Sequence, residues 1–128
     1  MRFARLTFNV AGIYGLLLLL PYYFLEDTIS REMPPSITHP EFFYGFVGCA
    51  VAWQVAFLVI AREPRRYRPM MIPAVIEKWS FGGAALVLYA RGRIATSVMV
   101  FAGIDLLLGC LFLAVFLRCG RGEAEPRA

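Results

Sequence analysis

The chain has 128 residues, of which 59% are hydrophobic, and its mean hydropathy is +0.63. This composition excludes an ordinary soluble domain. The net charge of +4 comes from arginines that flank apolar segments without interleaved aromatic side chains, so we expect no nucleic acid as a partner.

Four apolar segments follow one another along the chain, at residues 8–25, 42–61, 72–90 and 95–117. Each has about 18–23 residues, which as a helix covers about 27–35 Å and matches a hydrocarbon core of about 30 Å. Segments of this length favour membrane spans over buried helices of a soluble core. The sequence therefore predicts an all-α fold, a single four-helix transmembrane domain at residues 1–119 followed by a short disordered cytoplasmic tail at residues 120–128.

The first segment has no small-residue cleavage site after it, so we expect it to be retained as a span. Asn9 and Gly12 share one face of this helix, and we interpret Asn9 as a helix-packing hydrogen bond.

Basic residues are distributed unevenly between the two sides of the predicted bundle. Nine arginines fall on the side of the termini and of the connection after the second segment, and three fall on the other side. The positive-inside rule then predicts that both termini are cytoplasmic. Arginine supplies 12 of the 13 basic residues, which points to a GC-rich bacterial genome. We therefore expect a protein of the bacterial cytoplasmic (inner) membrane, surrounded by the lipid bilayer.

The longest connection, residues 26–41, is acidic and would lie on the outer side. We expect either a solvated connector or a lid or docking surface over the mouth of the bundle. At its end, Thr38 and Glu41 have the spacing of a helix capping box, and Pro40 suits a first helical turn. The alternative for His39 and Glu41 is an acid/base or metal pair at the outer mouth. Two ligands alone are too few for a metal, and a complete site would need Glu26, Asp27 or Glu32 to join them; we expect no metal site.

The second segment carries one polar amide near its middle, Gln54. Small residues that favour close helix contact occupy the opposite face, at about 100° per residue. These residues are Gly45, Gly48, Ala52 and Ala56. The second helix should therefore contact protein on both sides, and one way to achieve this is a homo-oligomer or a membrane partner protein.

The inner connection between the second and third segments carries Arg62, Arg65, Arg66 and Arg68. Each arginine near anionic headgroups contributes about 1 kcal/mol to membrane attachment. We interpret the four arginines as a topology anchor, with specific contacts to anionic lipids as the alternative.

Three charged residues interrupt the third and fourth segments: Glu77, Lys78 and Asp105. A charge at the helix centre costs about 2.5–3.5 kcal/mol on insertion scales, so each of the three should have a structural or functional role. Asp105 shares a face with the small residues Ala102 and Gly109, so we expect it inside the bundle near the midplane, with Lys78 reaching toward it. Glu77 should lie closer to the cytoplasmic boundary and pair with arginines of the inner connection.

These charges allow three interpretations. They are buried ion pairs that fix helix register, or a protonatable site at Asp105 that serves proton coupling or holds a cationic ligand, or a site that binds a lipid or cofactor. Gln54 is a further candidate for the same buried polar site. Because no catalytic motif is complete, we expect a non-enzymatic accessory, assembly or ligand-binding bundle without a cofactor. The first alternative is a small oligomeric proton-coupled transporter that uses Asp105 with Glu77 or Lys78. The second is a membrane enzyme acting on a lipid or isoprenoid-like substrate, with His39, Glu41 or Glu77 in acid/base roles.

Two stretches, residues 36–54 (SITHPEFFYGFVGCAVAWQ) and residues 62–81 (REPRRYRPMMIPAVIEKWSF), resemble a family of small bacterial membrane proteins of unassigned activity. The size and the number of spans are also similar to those of DoxX-like and EXPERA-type bundles. The resemblance implies a four-span architecture and carries over no activity and no site residues.

Overall fold

The computed structural model describes residues 2–124, and within this range it contains helices and turns but no strand. The α-helices are α1 (Arg2–Leu19), α2 (Glu26–Glu32), α3 (Pro40–Arg62), α4 (Met71–Ala90) and α5 (Thr96–Ala124). All except the short α2 are long and apolar enough to cross a membrane. The predicted all-α fold with four long apolar helices is therefore confirmed.

Two of the long helices extend beyond the predicted spans. α1 begins at Arg2, and a 3-10 turn, Leu20–Phe24, follows it. α5 ends at Ala124, so residues 120–124 continue a helix where we expected a disordered tail. The remaining tail residues, 125–128, lie outside the described residues. Hydropathy marks only the apolar part of a helix, whereas the backbone hydrogen bonds continue into its polar flanks.

The long helices form two pairs, α1 with α3 and α4 with α5, which meet mainly through α1 and α5. α3 and α4 make few contacts with each other. The end of the bundle that holds Arg2 and Arg62 is called the basic end, and the opposite end, which carries α2, is called the α2 end. Gly92 lies in the turn from α4 to α5 with φ +68°, a left-handed backbone conformation that glycine adopts without steric cost.

An aromatic core fills the basic end of the bundle. Phe8, Phe57 and Phe112 are fully buried. The rings of Phe8 and Phe112 stack with their centroids 4.3 Å apart, and Phe57 meets the Phe112 ring edge-on at 4.9 Å. Met71 and Cys119 belong to the same buried cluster. Three of the four long helices thus contribute a ring to this core, which closes the bundle tightly on this side.

The outer surface of the long helices is apolar. Large side chains that are at least half exposed include Leu6, Val10, Leu17, Ile76, Val100 and Leu107. In water, so much contiguous apolar surface would drive association or aggregation. The same surface fits the hydrocarbon region of a bilayer, where it requires no protein partner.

Contacts across the α4–α5 pair fix its register. The Trp79 indole Nε1 donates a hydrogen bond to the backbone oxygen of Leu106 at 3.3 Å, and its ring lies directly against Gly109. Nearer the basic end, Arg68 Nε donates to the backbone oxygen of Phe116 at 2.9 Å, and the guanidinium lies 4.0 Å from the centre of the Phe116 ring. The absence of a side chain at Gly109 is what lets the indole approach the α5 backbone.

The buried face of α3 is not the one that the small residues predicted. Gly45 and Ala52 are exposed, and no other part of the described chain lies within contact distance of a side chain built at Gly45. The buried face instead carries Gln54, which packs against α1. The residues that permit close approach are on α1, where Gly12 and Gly15 meet α3. The expected contact along the α3 seam is therefore wrong within the single chain.

Candidate functional site

An ion cluster joins α4 to α5. The Lys78 Nζ lies 3.3 Å from Oδ1 of Asp105 and 3.7 Å from Oε2 of Glu77. The Lys78 side chain is only 4% exposed, and those of Glu77 and Asp105 are 21% and 17% exposed. The expected approach of Lys78 to Asp105 is thus present. The expected pairing of Glu77 with arginines is wrong, because its carboxylate faces Lys78.

The cluster lies deep in the bundle. The span that contains α4 begins at Arg68, so Glu77 and Lys78 lie about 14–15 Å along it at 1.5 Å per residue. Asp105 lies about 14 Å from Thr96, where α5 begins at the other end of the bundle. All three charges are therefore near mid-depth.

Two further polar side chains reach the same depth from the other helix pair. Gln54 on α3 is 1% exposed, and its Nε2 donates a hydrogen bond to the backbone oxygen of Ala50 at 3.0 Å. Its Oε1 packs toward Gly15 of α1 and has no hydrogen-bond partner among residues 2–124. The hydroxyl of Tyr14 on α1 is likewise buried without a hydrogen-bond partner in the described part of the chain. Every long helix thus contributes a polar group at mid-depth.

These groups line one cavity of about 280 Å³. Ligand sites in proteins are usually about 300–1,000 Å³, so this volume suits a small molecule. Its wall is mainly apolar, and its side chains come from all four long helices and from the connection after α2. The larger wall residues are Leu18, Leu19, Tyr22, Met33, Phe46, Phe81, Val98 and Phe101. Because these residues lie on the α2 side of the ion cluster, the cavity extends from the cluster toward the α2 end.

A groove on the side of the bundle reaches the same cluster. It runs between α3 and α4, where the two helices make few contacts, and Glu77 lines both the groove and the cavity. Phe46, Cys49, Trp53 and Ser80 form its walls. The groove gives lateral access to Glu77 from the apolar surface of the bundle.

The outer-mouth pair does not belong to the cavity. His39 Nδ1 lies 3.0 Å from Glu41 Oε1, but both side chains are more than 60% exposed. Within residues 2–124 no third His, Cys, Asp or Glu lies near enough to complete a metal site. The predicted capping box is wrong, because α3 begins at Pro40 and its capping residue, His39, makes no side-chain cap hydrogen bond. Of the acid/base candidates of the enzyme alternative, His39 and Glu41 lie together, whereas Glu77 lies apart from them at the cavity.

The inner-connection arginines fall into two groups. Arg62, Arg65 and Arg66 are exposed, and Arg66 pairs with Glu63 at 3.5 Å. Arg68 instead binds the α5 backbone, as described above. Only the first three are therefore placed where a lipid headgroup can reach the whole guanidinium.

Sequence reasoning missed Tyr14 as a site residue. It favoured Asn9 as the polar contact of the first helix, but Asn9 is exposed. The available signal was the depth of Tyr14 within its apolar segment. A tyrosine usually lies at a membrane interface, so one near the middle of a span requires a polar surrounding.

We compared the chain with protein-family models, with curated proteins and with solved structures. None of the three comparisons found a match. The function must therefore be argued from the geometry of the cavity.

Proposed function

We propose that this protein is a non-enzymatic integral membrane bundle that binds a small amphipathic molecule in the cavity between its two helix pairs. The polar end of the ligand lies at mid-depth, and its apolar part extends toward the α2 end. The lateral groove beside Glu77 supplies the route from the bilayer.

One observation carries this proposal. The buried side-chain atoms that have no hydrogen-bond partner within the described residues are Tyr14 OH, Gln54 Oε1 and Glu77 Oε2, and all three residues line the same cavity. A buried polar group without a partner costs about 1–3 kcal/mol. A ligand that supplies hydrogen bonds to these atoms recovers that free energy, so the cavity favours a molecule with a polar end.

The proposal includes the placement of the bundle in its membrane. The four long helices cross the bilayer, and the basic end, which displays Arg62, Arg65 and Arg66, faces the anionic headgroups of the cytoplasmic side. Both termini then lie in the cytoplasm, and the membrane is the inner membrane of a bacterium. The outward α3 face around Gly45 is the proposed contact with a second copy or a membrane partner protein.

Transport would use the same cluster, with Asp105 as the proton site. We rank transport below ligand binding because the packed rings of Phe8, Phe57 and Phe112 fill the bundle between the cavity and the basic end. The cavity is thus reached from the α2 end and from the lateral groove, which suffices for binding. Transport needs a second access route through this aromatic core.

A substitution that fills the cavity tests the binding proposal. Val98 lines the cavity, whereas Val100, two residues further on the same helix, is 62% exposed on the outer surface. We expect the gently solubilised natural protein to carry a bound small molecule in native mass spectrometry. Val98→Trp should lose this molecule because the indole occupies its space, and the control Val100→Trp should retain it. A natural protein with the mass of the bare chain, or equal retention by both variants, would contradict the proposal.

A further inference from the structure

The charges at the cavity do not balance. Glu77 and Asp105 each bring a carboxylate, and Lys78 brings one ammonium. Among residues 2–124 no other Asp, Glu, Lys or Arg lines the cavity. When all three groups are ionised, the cluster carries one excess negative charge in a region of low dielectric. An uncompensated buried charge is unfavourable, and either a proton on one carboxylate or a positive charge in the cavity removes it.

The buried polar atoms that have no hydrogen-bond partner among the described residues would be satisfied by hydrogen-bond donors. The Nε2 of Gln54 donates to the Ala50 backbone oxygen, so the atom left without a partner is its carbonyl Oε1, which can only accept. Glu77 Oε2 lies 3.7 Å from Lys78 Nζ but accepts no hydrogen bond within residues 2–124, and as a carboxylate oxygen it can also take a donor. The Tyr14 hydroxyl can accept as well as donate. A protonated primary amine supplies three N–H donors on one positively charged atom, which matches both the charge and the acceptors.

The rest of the cavity wall is mainly apolar. Beyond the cluster its wall is mainly leucine, valine and aromatic side chains, including Phe46, Phe81 and Phe101, and the polar side chains there are Ser97 and Tyr22. These rings surround an apolar body and cannot form strong hydrogen bonds with a second polar group. The lateral groove reaches Glu77 between the apolar side chains of Phe46 and Trp53, so an amphiphile can enter from the bilayer.

We infer that the ligand of this cavity is an amphiphilic primary amine. Its ammonium group donates hydrogen bonds to Glu77 Oε2, to Gln54 Oε1 or to the Tyr14 hydroxyl and offsets the excess carboxylate. Its apolar body lies along the wall that extends toward the α2 end. This inference rests on the proposed function, since it names the chemical class of the molecule that the cavity binds.

Three probes that share one phenylbutyl body separate charge from hydrogen bonding. They are 4-phenylbutylamine, the neutral 4-phenylbutan-1-ol, and N,N,N-trimethyl-4-phenylbutylammonium, which keeps the charge but has no N–H donor. Binding is measured by isothermal titration calorimetry on the full chain in zwitterionic lipid nanodiscs, with empty nanodiscs as the reference. We expect the primary amine to bind at least about tenfold more tightly than either of the others, because hydrogen bonds to a charged group are worth that much.

Variants then locate the bound amine. Asp105→Asn and Glu77→Gln each make the cluster neutral, and we expect each to weaken amine binding by about tenfold or more. Gln54→Leu removes one hydrogen-bond acceptor without changing the charge, and it should also weaken amine binding. Glu41→Gln removes an exposed carboxylate outside the cavity and is the matched control, with unchanged binding.

Equal affinity of the natural protein for the amine and the alcohol would overturn the inference and leave the proposed binding function standing. No binding of any probe above empty nanodiscs would also overturn it, and the proposed function is then decided separately by native mass spectrometry. The comparison of the three probes on the natural protein needs no variant, so it remains decisive if a variant fails to fold.

Discussion

At the residue scale, the polar cluster depends on a single lysine. Lys78 is the only lysine among 13 basic residues, and its ammonium faces the carboxylates of Glu77 and Asp105. The same ammonium lies 5.3 Å from the centre of the Phe57 ring, a cation–π distance that connects the cluster to the aromatic core. A compact ammonium can sit between two carboxylates in a narrow space where the planar guanidinium of arginine needs more room.

Replacing this lysine should destabilise the protein strongly. Lys78→Met keeps the length of the side chain but leaves two buried carboxylates facing each other, and removing one partner of a buried ion pair costs about 3–5 kcal/mol. We expect a clear fall in the midpoint of thermal unfolding in detergent. Arg66→Met removes an exposed cation that pairs with Glu63 on the surface, and it should change the midpoint little. Equal midpoints for the natural protein and Lys78→Met would show that the cluster does not stabilise the fold.

At the scale of the elements, the number and type of helices could be predicted because each span needs an apolar segment of a fixed length. The proximity of Lys78 and Asp105 could also be predicted, since opposite charges in a low dielectric attract and Asp105 shares a face with small residues. Which helices pair with each other could not be predicted from the sequence, because hydropathy is the same for a face that meets lipid and for one that meets an apolar helix. Gln54 and Gly45 show the consequence, as the polar face of α3 is buried and the small-residue face is open.

The α4–α5 pair offers a test of register. Gly109 lies directly against the Trp79 ring, so Gly109→Val forces the indole away from α5 and weakens its hydrogen bond to Leu106. Overpacking of this kind typically costs about 1–3 kcal/mol. Gly103→Val on the same helix is the control, because Gly103 is exposed and no atom of residues 2–124 lies within contact distance of the added side chain. We expect a lower unfolding midpoint for Gly109→Val alone; similar midpoints for the two variants would contradict this contact.

At the scale of the whole molecule, the cavity follows from how the two helix pairs are joined. They share a continuous aromatic core at the basic end, while α3 and α4 make few contacts along their length. The space left toward the α2 end brings together polar groups from four helices that are far apart in the sequence. Gln54 could be named from the sequence as a candidate for the same buried polar site as Asp105, because it is an amide inside an apolar segment. Tyr14 could not, because its convergence with Asp105 depends on the docking of one pair onto the other.

The central claim is that this cavity holds a ligand with a polar end at mid-depth. An experimental density map of the full chain, purified from its membrane under mild conditions, tests it most directly. We predict continuous density in the cavity, with a polar end within hydrogen-bond distance of Gln54 Oε1, Tyr14 OH or Glu77 Oε2 and an apolar part between Phe46 and Phe101. A cavity that holds only separate water molecules at these three atoms, or that is closed by inward rotation of its aromatic side chains, would contradict the account.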